Sequence, residues 1–192
     1  MAVIIIAIIT TLSIVLGNIM KEKTMTQIDL LARENANKAG NYIETMVTKS
    51  TSIADSIETL IDGNVSDTQF IAIAQSNLKK ALDDDRIFGT YIALEPNGIL
   101  DNTPNGASYY FFKNGNVIEF EDNIEDYEIY SSQDYYIGSR DTKSTYFTDP
   151  YEYTLQSGDN VLLMTLSVPL YDSMSRFMGV VNCDVLVSTI DE

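Results

Sequence analysis

Residues Met1 to Met20 carry no charged side chain, and the run Ala2 to Ile9 is wholly apolar. About 20 uncharged residues suffice to cross a bilayer as a helix, so residues 1–20 are expected to form a transmembrane helix. A cleaved signal peptide would show a basic start and a small-x-small cleavage site, and neither is present. From Asn18 to Ile61 there is no Pro, and the only Gly is Gly40. Ala39, Ile43, Met46, Ser50, Ile53, Ile57 and Leu60 recur at spacings of four and three. That stripe predicts a long stalk helix over 21–62, on the order of 60 Å for roughly 40 residues. It suits packing on the protein's own sheet or a homodimer seam, and different segments of one helix can do both. Asp62-Gly63-Asn64 should end the helix, with Gly63 in the left-handed position. Ser66 and Gln69 then form a capping-box pair for a second helix with Phe70, Ile73, Ala74, Asn77 or Leu78, and Ala81 on its apolar side.

Beyond Arg86 the period changes to that of strands. Gly89 to Leu94 alternates, and Tyr109–Lys113 and Val117–Phe120 flank the turn Asn114-Gly115-Asn116, a hairpin signal. Glu119 to Glu128 reads as acidic and irregular, and Tyr135 to Lys143 as a short helix. Asp149–Tyr153 and the β-branched runs Asn160–Leu170 and Phe177–Val187 complete about five strands, the last two a long antiparallel pair. Two helices followed by a mostly antiparallel sheet with helices flanking it is an α+β arrangement. In the closing strand Val180, Asn182, Asp184 and Leu186 share one face; Val181, Cys183, Val185 and Val187 share the other.

Composition narrows the function. The chain has 192 residues and a net charge of −16, which argues against a nucleic-acid partner because phosphate would be repelled. There is no histidine, which removes Ser-His and Cys-His nucleophiles, His metal sites and His pH switching together. No phosphate-binding glycine loop or paired-cysteine zinc spacing appears. The lone Cys183 allows no intramolecular disulfide and reads as a small buried hydrophobe. Asp83-Asp84-Asp85 lacks the alternating spacing of a calcium loop. No enzyme, metal or cofactor is therefore expected. Asp184 stands out, because a carboxylate inside an apolar strand must be paired, hydrated or facing a ligand.

The ordered set Asp134-Tyr135-Tyr136, Asp149-Pro150-Tyr151, an apolar strand ending in Val168-Pro169, and Gly179-Val180-Val181 leading to Asp184 resembles the extracellular double-Cache sensor domain of bacterial chemoreceptors and sensor kinases. The resemblance implies a PAS-like fold over residues 63–190 and a chain that is a fragment, with a second Cache domain and a cytoplasmic transmitter beyond it. It implies a single-pass cell-membrane receptor with an extracytoplasmic sensor that binds a small amine-containing or amino-acid-like ligand and signals as a chemoreceptor. A histidine kinase or diguanylate cyclase sensor is the alternative. A pilin-like filament subunit, from a different class, would need an acidic residue near the start of the apolar helix, and none is there. In the family's amino-acid sites aromatic and Arg residues hold the ligand carboxylate, while a Tyr and an Asp hold the ammonium. The ammonium arm falls on Tyr151 and Asp184. Tyr135 stands where the family has Trp, Tyr136 is the Tyr beside it, and Gln133 replaces the Arg. The upstream Tyr position falls on Glu128, with Tyr127 and Tyr130 close by.

Overall fold

A computed structural model describes residues 2–63, 65–122, 126–155 and 158–189, with side chains from residue 13 onward. The chain divides into two units, residues 1–41 and 42–192, and the first helix, α1 (Ala2–Asp62), runs through both. In the first unit α1 exposes Leu16, Ile19, Ile28 and Leu31 and carries the one-turn ion pairs Arg33–Asp29 and Lys38–Glu34. Among the described residues no helix is long and apolar enough to cross a membrane. The run Ala2 to Ile9, on which the membrane expectation rests, lies outside the residues whose side chains are described.

The second unit is built on an antiparallel sheet of seven strands: β1 (Gly89–Leu94), β2 (Ala107–Asn114), β3 (Val117–Asp122), β4 (Tyr146–Phe147), β5 (Tyr151–Thr154), β6 (Asn160–Tyr171) and β7 (Phe177–Leu186). The order is β3-β2-β1-β7-β6-β4, with β5 also pairing β6. The first strand thus lies against the last, and β7 occupies the middle, paired on both edges. This agrees with the expected α+β class but corrects the strand count of about five. β4 pairs through only Tyr146 and Phe147, too short a stretch to show any alternation in the sequence.

One face of the sheet packs on helices. Met46, Ile53 and Ile57 of α1 and Phe70, Ala74 and Leu78 of α2 (Asp67–Ala81) share a core with Ile92, Leu166, Val181, Cys183 and Val185. Cys183 is fully buried there, and burial pushes its thiol up to about 12. From Met46 onward the helical stripe is therefore used on the protein's own sheet. Ser66 caps α2 as expected, accepting from the Gln69 amide while the Gln69 side chain accepts from the Ser66 amide. Gly63 does not take the left-handed conformation expected of it. Its amide donates to Leu60 O at 3.2 Å, a tightened last turn that closes α1 without a positive φ.

The other face is covered by α3 (Tyr127–Tyr130) and α4 (Asp134–Thr142). α3 falls where the sequence reads as irregular, and at four residues it is too short to show a period. Both helices are fixed through Glu95, at the end of β1: Tyr136 donates to its carboxylate at 2.6 Å and Tyr127 at 3.1 Å. Parity along β7 is as expected, with Val180 and Leu186 toward α4 and Val181, Cys183 and Val185 toward α1 and α2.

Met46 is 1% exposed and Ile43 43%, so two neighbouring stripe positions should differ sharply. Met46→Lys buries an uncompensated charge and is expected to cost about 3–5 kcal/mol, whereas Ile43→Lys should stay within about 0.5 kcal/mol. Urea unfolding of the two variants checks this, and equal costs would show that α1 does not pack as described.

Candidate functional site

Antiparallel register lays two rows of side chains across the face under α4. One row is Phe112, Gly89, Asp184 and Thr165, read from β2 through β1 and β7 to β6. The other is Tyr110, Tyr91, Asn182 and Ser167. Gly89 is needed in the first row. A Cβ there would stand 2.6 Å from the Tyr110 hydroxyl oxygen, so the missing side chain is what lets the Tyr110 ring lean across β1 toward Asp184.

Between these rows, α4 and β5 lies a cavity of about 90 Å³, lined by Tyr91, Tyr110, Gln133, Tyr135, Tyr151, Tyr153, Leu163, Thr165, Asn182 and Asp184. Its aromatic wall is continuous. Tyr135 meets Tyr91 edge-on at 5.9 Å, Tyr91 meets Tyr110 edge-on at 5.9 Å, and Tyr110 meets Tyr153 at 6.3 Å. Edge-to-face contacts of this kind hold rings in place beyond their area burial. They leave tyrosine faces and hydroxyls around an acidic floor.

That floor is Asp184, 6% exposed. Thr165 Oγ1 donates to its Oδ1 at 2.6 Å, and Tyr151 Oη lies 2.7 Å from the same Thr165 oxygen. An ionised carboxylate only accepts, so Thr165 spends its one proton on Asp184 and Tyr151 must donate to Thr165. No Lys or Arg pairs with Asp184 among the described residues. Burial raises its pKa from 3.8 to about 6, with the Thr165 and Tyr110 hydroxyls opposing the rise. Arg140 of α4 pairs with Asp141 at 2.9 Å and not with Asp184.

The structure therefore brings Gln133, Tyr135, Tyr151 and Asp184 to one cavity. Gln133 is the exposed N-cap residue of α4 at that cavity's wall. Tyr136 is not with them. One residue along a helix turns the side chain by about 100°, and Tyr136 points into the Tyr127–Tyr130–Phe177 cluster with its hydroxyl on Glu95. Its role is to hold α4, and with it Tyr135, against the sheet. Tyr91, Tyr110, Tyr153, Thr165 and Asn182 line the cavity without having been singled out from sequence. Strand parity places Asn182 beside Asp184, but Tyr91, Tyr110 and Thr165 need the register across three strand pairs.

Residues 74–192 match the family described as methyl-accepting chemotaxis protein-like, first PDC sensor domain. No curated protein matches the chain. Among solved structures, the periplasmic sensory domain of the Campylobacter jejuni chemoreceptor Tlp1 aligns with a TM-score of 0.65 at 13% identity, over 82% of this chain and 59% of that one. The extracellular domain of a protein described as a histidine kinase, mmHK1S-Z3, aligns with a TM-score of 0.62 at 20% identity, over 83% and 55%. The ligand-binding domain of the Pseudomonas aeruginosa PAO1 amino acid chemoreceptor PctC, in complex with GABA, aligns with a TM-score of 0.55 at 12% identity, over 81% and 60%. This chain thus spans somewhat more than half the length of each, and identities of this size show a common fold alone.

Asp184 should burden the ligand-free fold. Its folded pKa lies above the unfolded value, so the stability this group contributes is present below pH 3.8 and is lost as pH rises through about 6. Above that window the carboxylate costs on the order of 3 kcal/mol. Asp184→Asn keeps an acceptor for Thr165 and removes the charge. It should be more stable than the parent at pH 7.5, with the gap closing near pH 4, as measured by chemical unfolding at both pH values. A variant less stable than the parent by the same amount at both would mean that the carboxylate is already satisfied.

Proposed function

The chain belongs to the methyl-accepting chemotaxis protein-like first PDC sensor domains, a family of sensory domains, and on that premise we propose that its cavity senses a small amine. The observation that carries this reading is Asp184: a buried carboxylate at a cavity floor with no cationic partner among the described residues. An ammonium would supply the missing charge through a charge-assisted hydrogen bond. Tyr151 lines the same cavity, and the faces of Tyr135 and the neighbouring rings favour a cation. Gln133 lines the same cavity where the family's amino-acid sites have Arg, so a ligand carboxylate has no bidentate partner there. The GABA bound by the Pseudomonas receptor also carries an ammonium, which fits the same arm in kind.

In this reading the domain is the extracytoplasmic part of a membrane receptor, chemotactic in output. Residues 1–20 anchor it and the early part of α1 pairs with a second copy. Support for the anchor is the uncharged sequence of residues 1–20; support for the pairing is the exposed apolar surface of Leu16, Ile19, Ile28 and Leu31. A histidine kinase sensor is the second reading of the output, favoured by the likeness to mmHK1S-Z3.

A thermal-shift screen of amines, amino acids and amine-free carboxylates on the full chain, followed by calorimetry, tests the ligand class. Amines should bind, and Asp184→Asn should weaken them about ten- to a hundredfold, since a charged hydrogen bond is worth roughly 1.5–3 kcal/mol. Gln133→Ala should cost less. Binding of amine-free carboxylates alone would overturn the assignment.

A further inference from the structure

The two rows that cross the cavity face place a hydroxyl opposite a polar acceptor twice. Thr165 stands opposite Asp184, and Ser167 stands opposite Asn182, two residues along the same pair of strands. The first of these pairs is closed, at 2.6 Å. The second is open. The Asn182 side chain, 1% exposed, lines the cavity, and its carbonyl oxygen has no hydrogen-bond partner among the described residues. The Ser167 hydroxyl, fully buried directly across from it, has none either. A buried polar group left unpaired is costly, and the Asn182 oxygen, on the wall of the cavity with the equally unpaired Ser167 hydroxyl across the strand pair from it, calls for a partner from the cavity side.

We propose that Asn182 is a second polar subsite that takes a hydroxyl of the ligand, so that the ligand is a short amino alcohol and not a simple alkylamine. This rests on the amine reading of Asp184 and goes beyond it by fixing what the far end of the ligand must carry. A hydroxyl is the group that fits, because it both donates and accepts. It can donate to the amide oxygen, or accept from the amide nitrogen if the amide is rotated, and it satisfies Asn182 either way. A second ammonium would need a second carboxylate and a carboxylate would need a cation, whereas Asp184 is the only charged side chain among the described residues that line the cavity; a methyl group would leave the amide oxygen unpaired. Two residues along a strand span about 6–7 Å. An ammonium on Asp184 and a hydroxyl on Asn182 are then joined by roughly three to five carbons, given that each group reaches inward from its partner by one hydrogen-bond length.

The test is calorimetry on the full chain with two matched series, the ω-amino alcohols from 3-amino-1-propanol to 5-amino-1-pentanol and the n-alkylamines of the same chain lengths. The expected result is that the best amino alcohol binds about tenfold more tightly than its alkylamine, and that Asn182→Leu abolishes this advantage. Ser167→Ala should reduce the advantage in the same direction, and it serves where the Leu variant disturbs folding. Asn182→Leu should also raise the thermal midpoint of the ligand-free protein, because an unpaired buried amide has been removed; a purely structural Asn would lower it. Equal affinity for the two series, or an advantage that survives in both variants, overturns the second subsite and leaves the amine reading standing. Failure of every amine in both series overturns the amine reading itself, and this subsite with it.

Discussion

A carboxylate held in the middle of a sheet, with no counter-charge among the described residues, is the constraint on which the rest of this structure turns. Asp184 lies on β7, which is paired on both edges, so water cannot reach it along the strand. Its neighbours across the sheet are the two residues that make the position tolerable. Gly89 leaves room for Tyr110 to approach, and Thr165 donates directly to the carboxylate. A slip of one residue in either pairing would turn Asp184 toward α1 and α2, into a core of Ile57, Ile92 and Leu166. Register across three strands is thereby tied to the chemistry of one side chain.

The two faces of β7 divide the work. On one, Val181, Cys183 and Val185 pack with α1 and α2 as an apolar interior that needs no polar partner. On the other, α3 and α4 cover the sheet without filling it. They are held through hydroxyls, Tyr136 and Tyr127 on Glu95 and Tyr130 on the backbone oxygen of Leu94. Hydrogen-bonded tyrosines of this kind set the height of α4 above the strands, and with it the distance from Tyr135 to Asp184. The result is a face that carries a cavity with orphaned polar groups beside a face that carries the stability. Natural sites commonly store unfavourable groups in this way.

Much of this was legible along the chain where a local rule governs. The capping box of Ser66 and Gln69, the hairpin at Asn114-Gly115-Asn116 and the alternation of β7 each depend on residues close in sequence, and each is found in place. Reading failed where geometry is set from a distance. Tyr135 and Tyr136 are adjacent in sequence, yet the rotation of α4 sends one to the cavity and the other to Glu95. Met46 reads equally as seam or core until the sheet is present to receive it. The β4 pairing and the helix α3 are too short for any period to register. Thr165 is an ordinary strand residue in sequence, and only its register opposite Asp184 makes it the group that directs Tyr151.

The central claim is that Asp184 is a charge in want of a partner, and its own ionisation reports on that most directly. Side-chain carboxyl carbon NMR of the full chain, with Asp184→Asn to assign the resonance, gives its pKa with and without a bound amine. Asp184 should titrate near pH 6 in the ligand-free protein, as burial dictates, and its pKa should fall toward or below the ordinary carboxylate range when an amine saturates the cavity. Ligand-free titration at or below pH 4, unchanged by amines, would contradict it.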